Sequence, residues 1–345
     1  MPSSHALSQD ISFLDRLIAT ARRNAGQPAL LHKRRGVWVV RRWADVLEEI
    51  DRLAGGLHHL GVSEGSRVAI DGEITARLLL SGAAIRAVGA DIVSVPLSAS
   101  PEELDRVVAD PTISLVIGQG RETVEEWSEA TRNRREVPIV FDHATPDSQP
   151  PRHGIVTLPL LKMLGKPFGW AKSVDRKPTD TKLPVTWVEE STEWADGLDI
   201  VLDHWVSSGE PLALPELLAA ATRDRREIAP QRWIASGSRL HQNDAAIRER
   251  LPARKSLSGW LVGGALKGGA APWFALTRAL LRNRLGFRRL IAITAPAETS
   301  SPGLFGGLGL AFDNLGQPVQ PARVVVSTPP KTYPRERLVA VAAAR

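Results

Sequence analysis

The chain has 345 residues, 43% hydrophobic and 24% charged, which suits one large globular domain or two of moderate size. It contains no cysteine, so disulfides, thiolate zinc sites and cysteine nucleophiles are excluded, in keeping with a cytoplasmic setting. The net charge of +6 comes with bases interspersed among acids, as in "RDRRE", which predicts a solvated basic surface; without a basic stripe, stacking aromatics or a reading motif, no nucleic-acid partner is expected.

The first residues, "MPSSHALSQDISFLDRL", lack the basic start and apolar core of a secretory signal. Residues 11 to 25 read as a short helix. "PALLHKRRGVWVV" reads as two strands around a basic turn at Arg34 to Gly36. Trp43, Val46, Leu47, Ile50, Leu53, Ala54, Leu57 and Leu60 then recur at three- and four-residue steps, the apolar face of one helix. Gly61 and Gly65 follow where a helix exit and a tight turn need positive φ. From Ser66 the chain alternates: strand "RVAI", helix Ile74 to Val88, strand "DIVSVPL", helix Pro101 to Val108, strand "SLVIG", helix Arg121 to Ala130, strand "VPIVFD". Short apolar strands alternating with helices indicate βαβ units and a parallel sheet.

Residues 144 to 184 are rich in Pro, Asp and Lys and read as connection, with a short helix near Leu158 to Leu164. A second α/β region follows, with helices at Glu193 to Val206, Pro215 to Arg223 and Leu240 to Leu251. Its strands are "PLAL", "RWIA" and "RRLIAITA", and two helices flank "GGALKGGAAP". The most apolar stretches, Leu78 to Leu97 and Leu261 to Leu281, are broken by Arg86, Asp91, Lys267 and Arg278, so neither reads as a transmembrane segment. Trp43, Trp205 and Trp273 fall at apolar helix positions, which assigns them to core packing.

Several segments, in order, resemble the large N-terminal domain of AMP-forming acyl-CoA synthetases of the adenylate-forming superfamily, especially the long-chain fatty-acid branch. They are "QPALLHKRRGVWVVRRWADVLEEIDRLAGGLHHLGVSEGSRVAI", "GAAIRAVGADIVSVPLSASPEELDRVVAD", "LPVTWVEESTEWADGLDIVLDHWVSSGEPLALPE", "DRREIAPQRWIASGSRLHQNDAAIRERL", "LRNRLGFRRLIAITAPAETSSPGLF" and "NLGQPVQPARVVV". The resemblance implies an α/β fold of parallel-sheet βαβ subdomains: residues 1–143, a linker at 144–184, residues 185–311, and a remnant of a closing β region at 312–345.

It also implies acid–thiol ligase chemistry, in which a carboxylate joins the α-phosphate of ATP with Mg²⁺ and backbone N–H groups neutralising phosphate charge. The Thr-Ser-Gly-Thr-Thr-Gly-x-Pro-Lys-Gly loop expected near Asp180 has no counterpart; "DRKPTD" passes directly to "TKLPVTW". The adenine turn, Gly-Gly-Ala-Pro in the family, is reduced to "TAPAETSS", with Thr294, Ala295, Pro296 and Glu298 as its remnant. The Tyr-Gly-x-Thr-Glu and ribose motifs have no counterpart, nor does the mobile C-terminal domain with its catalytic lysine before Arg345. The expectation is therefore a family member inactive on its own, with no catalytic or metal-ligating residues and no bound cofactor. Such a chain would act as a scaffold for a protein partner, a second copy of itself (a homo-oligomer) or an acyl ligand. The alternative is a ligase using ATP and Mg²⁺ through a rebuilt phosphate site or a partner's C-terminal domain.

Three segments are weighed as substitutes for the phosphate loop. "GGALKGG" (Gly263 to Gly269) lacks the P-loop spacing and reads as a loop between helices, "GLFGGLGL" (Gly303 to Leu310) as a flexible connection, and "LGKPFGWAKS" shares composition only. His58 and His59 are adjacent and cannot form an i, i+4 metal pair. Ser236 and Ser238 of "ASGSR" follow a strand, where a helix cap is the commoner role than a nucleophile. No HExxH or G-x-S-x-G is present.

Overall fold

The structure is a computed structural model and describes residues 12–131, 137–142, 155–174, 183–253, 255–296, 299 and 303–314. Helix α1 (Phe13–Arg23) is capped by Ser12 and buries Phe13, Leu17 and Ala21. Strands β1 (Pro28–Arg34) and β2 (Val37–Arg42) pair antiparallel. Arg35 and Gly36 both take positive φ (50° and 76°) between them, as a two-residue hairpin turn requires. Helix α2 (Trp43–His59) carries the periodic apolar face, all of it buried but Leu60, which caps the helix. Gly61 and Gly65 have φ of 89° and 77°, as expected of an exit and a turn.

The alternation from Ser66 is then observed as β3 (Arg67–Asp71), α3 (Ala76–Ala87), β4 (Asp91–Ser94), α4 (Pro101–Ala109), β5 (Ile113–Gln119), α5 (Arg121–Thr131) and β6 (Ile139–Asp142). Ser100 and Glu103 close a capping box ahead of α4, with Pro101 in its first turn. Residues 155–174 hold more than connection. They add β7 (Ile155–Thr157) to the sheet, then α6 (Leu158–Leu164) and a 3₁₀ turn at Trp170–Ser173. The first sheet is wholly parallel, in the order β4-β3-β5-β6-β7.

The second region contains β8 (Thr186–Val188), α7 (Gly197–Ser208), β9 (Leu212–Leu214), α8 (Ala221–Ile228), β10 (Arg232–Ile234) and α9 (Gly237–Glu249). It continues through α10 (Leu257–Leu266), α11 (Pro272–Arg284), β11 (Ala292–Ala295), α12 (Gly303–Gly307) and β12 (Ala311–Asn314). Helix α8 begins later than Pro215, because Leu218–Ala220 form a 3₁₀ turn first. Gly303 to Leu310, expected as flexible connection, forms α12 and a turn whose Leu304, Phe305, Leu308 and Leu310 are buried. The second sheet runs β12-β11-β10-β8-β9-β1-β2. The N-terminal hairpin thus completes it at one edge, β1 lying parallel to β9.

The principal core lies between the sheets, where α2 and α3 pack against Val68 and Ile70 of one and Leu30, Val188 and Leu212 of the other. Helix α3 is buried almost all round, as a helix enclosed by two sheets must be. Trp43 and Trp205 stack at 4.8 Å within this layer. Outer cores complete the α/β/α/β/α layering: Leu104, Val116 and Trp127 behind the first sheet, and Trp187, Trp233, Phe287 and Phe305 behind the second. Trp273, expected in the core, is 54% exposed. Among the described residues no helix is long and apolar enough to cross a membrane.

Candidate functional site

In parallel sheets ligands bind beyond the carboxyl ends of the strands. Here the ends of β3 and β8 are tied together across the two sheets. Thr192 N–H donates to Gly72 O (3.0 Å), Gly72 N–H to Thr192 Oγ1 (3.1 Å) and Ile74 N–H to Glu190 O (2.8 Å). Gln119, at the end of β5, accepts from Glu73 N–H (2.7 Å) and donates to Thr75 Oγ1 (3.1 Å). Gly72 leaves room for this side chain, since a Cβ there would sit 2.7 Å from Gln119 Cβ.

Three buried carboxyl groups lie at the ends of these strands, each with its own partners. Glu189 accepts from Trp187 Nε1 (2.7 Å), an Arg225 guanidinium nitrogen (2.8 Å) and Asn243 Nδ2 (2.9 Å). Arg225 is itself fully buried, over the Trp233 and Phe287 rings at 4.9 and 4.5 Å. Burial lowers its pKa against the opposing pull of Glu189. Glu190 accepts from Ser236 N–H (2.8 Å) and Ser236 Oγ (3.1 Å), and burial pushes its carboxyl up to about 7. Asp71 accepts from Trp127 Nε1 (3.2 Å), leaves its second oxygen without a partner, and is pushed by burial up to about 6.

Ser236 is the N-cap of α9 and accepts from Arg239 N–H (3.1 Å), so the capping role is observed. Thr294 and Ala295 end β11 and are buried; Thr294 O accepts from Ala235 N–H (3.1 Å), next to Ser236. Pro296 O accepts from Thr299 N–H, and a Cβ on Gly237 would meet Thr299 at 3.3 Å. Of the residues singled out at the adenine turn, Thr294 thus bonds the residue before Ser236, and Pro296 bonds Thr299, which lies against Gly237. Glu298 lies outside the described residues, as does the position near Asp180.

The substitute loops have other occupations. Phe168 N–H and Gly169 N–H of "LGKPFGWAKS" donate to the Asp51 carboxylate (2.7 and 2.9 Å), clasping α2. "GGALKGG" ends α10 and turns toward α11. Among the described residues no three His, Asp or Glu side chains converge as a metal site. The residues at the strand ends do not fit a magnesium–phosphate group, since Glu189 is committed to Arg225 and Glu190 to Ser236. Glu189, Glu190, Asp71 and Arg225 were not singled out from sequence; the signal was "VEES", two acids directly after an apolar strand.

The sequence profile of the AMP-binding enzyme family matches residues 17–159. That segment resembles the AMP-binding enzyme family. It contributes α2, the first sheet and Asp71, whereas Glu190, Ser236 and Thr294 lie beyond the matched residues. Over the chain as a whole the likeness is one of fold. The luciferase-like enzyme of the nonluminescent mealworm Zophobas morio superposes with TM-score 0.58 at 10% identity, over 90% of this chain and 73% of that one. A long-chain-fatty-acid-CoA ligase from Archaeoglobus fulgidus gives 0.58 at 11%, over 86% and 60%. Coronafacic acid ligase from Pectobacterium brasiliense gives 0.59 at 13%, over 89% and 61%. The chain therefore spans about three fifths of the length of these two ligases. No curated protein matches the sequence significantly.

Proposed function

We propose that this chain is a degenerate relative of the long-chain acyl-CoA synthetases. In this reading it does not adenylate on its own and serves as a scaffold for a protein partner or an acyl group. One observation carries the reading. The N-terminus of α9 is where backbone N–H groups and the helix dipole favour an anion. The chain's own Glu190 carboxyl takes that place, hydrogen-bonded to Ser236 N–H. A triphosphate arriving there would meet the Glu190 carboxyl at the N-cap Ser236. Losing one preorganised donor costs about 2.7–4 kcal/mol of transition-state stabilisation, so closing the site with the chain's own carboxyl group leaves negligible standalone turnover.

The test is ATP-dependent pyrophosphate release with a series of fatty acids, by the purified chain alone. The proposal expects no release above the no-enzyme rate. Release that saturates in both ATP and acid would establish the alternative, an acyl-adenylating ligase with a rebuilt phosphate site.

A further inference from the structure

Helices α10 and α11 form a hairpin that stands apart from the family chemistry. None of the 13 residues of α11 is fully buried. Its apolar residues Trp273, Leu276 and Leu280 recur at helical spacing on one exposed face, with Arg284 on the same stripe at the C-terminal end. Trp260 of α10 is 55% exposed, and its ring lies 5.2 Å from that of Phe274, which lies 6.0 Å from that of Trp273. One aromatic ridge therefore runs across both helices. Gly264 and Gly269 let the Phe274 ring pack close to the backbone: a Cβ on either would fall 2.2–2.3 Å from it. Two exposed tryptophans with aligned leucines form the kind of patch that marks an interaction surface.

Charge identifies the partner. From Arg250 to Ala297 the sequence carries nine Lys and Arg residues and no Asp or Glu. The remaining 35 basic residues are outnumbered by 38 acidic ones, whereas this segment holds no acid to offset its own charge. Exposed Lys267 stands in the turn before α11, Arg284 ends it, and exposed Arg288 and Arg289 follow. A second copy of the same face would oppose cation to cation. An anionic lipid surface satisfies both features, since tryptophan and leucine enter the headgroup boundary while Lys and Arg meet phosphate. We propose that the α10–α11 hairpin docks this protein onto the surface of anionic membranes, peripherally and without spanning them.

The test is co-sedimentation of the full chain with phosphatidylcholine vesicles prepared with and without phosphatidylglycerol. Binding is expected only with phosphatidylglycerol, weakening as salt is raised. The double variants Trp260→Ser with Trp273→Ser, and Arg288→Glu with Arg289→Glu, each lower partitioning by about tenfold or more. These side chains are exposed, and unchanged thermal transitions verify that the variants fold. No partitioning by the folded wild type overturns the proposal, as does binding indifferent to both variants. It is also overturned if the chain dimerises through this face, shown by a concentration-dependent dimer that the tryptophan variant abolishes while vesicles bind neither form.

Discussion

Glu190 offers the sharpest perturbation. Its carboxyl lies 3% exposed at the junction of the sheets, and burial raises it from 4.5 to about 7. Such a displacement corresponds to about 3 kcal/mol between the two protonation states. Because the folded-state value is the higher one, the folded protein holds the proton more tightly than the unfolded chain. The associated stability is complete below 4.5 and is lost as pH rises through 7. Glu190→Gln keeps an acceptor for Ser236 N–H and cannot ionise. Urea midpoints measured across pH should therefore give near-equal stability for variant and wild type at low pH. By about pH 8.5 the variant should lead by about 3 kcal/mol. Asp71, His32 and His204 titrate in both proteins and cancel in the difference. A stability difference that is flat with pH, or that shrinks as pH rises, would refute the assignment of Glu190 as a buried, tightly protonated group.

Three further outcomes follow from the packing. Arg225→Met strands Glu189 as a buried charge and should cost about 3–5 kcal/mol in denaturant unfolding, with Glu189→Gln in the same chain recovering most of it. Gly56→Ala places a Cβ 2.1 Å from Leu161 O where α2 meets α6, and should lower the thermal midpoint by the equivalent of about 1–3 kcal/mol. His204 is held neutral by burial, its pKa lowered from 6.5 to about 4, so the stability it confers is present above 6.5 and lost as pH falls toward 4. His204→Leu should make the chain less sensitive to acid in that window, as read by urea midpoints at each pH.

The alternation from β3 to β6 was legible because each strand is short, apolar and bounded by a glycine turn or a helix cap, signals local to a few residues. The pairing of β1 with β9 was not, since Leu30 meets Leu212 across most of the chain and nothing near either residue announces the other. The site follows the same division. Ser236 was readable as a cap from its place after "RWIA", but its hydrogen bonds to Glu190 join residues 46 apart and depend on β8 and β10 being neighbours. Trp273 was misassigned to the core because α11 is apolar on two faces. Phe274, Leu281 and Leu285 are part-buried while Trp273, Leu276 and Leu280 face outward, and periodicity does not say which stripe is covered.

Calorimetric titration of the purified chain with Mg·ATP tests the central claim most directly. With Glu190 seated on the α9 N-terminus, the account predicts no saturable heat at any temperature tried; micromolar, stoichiometric binding would contradict it.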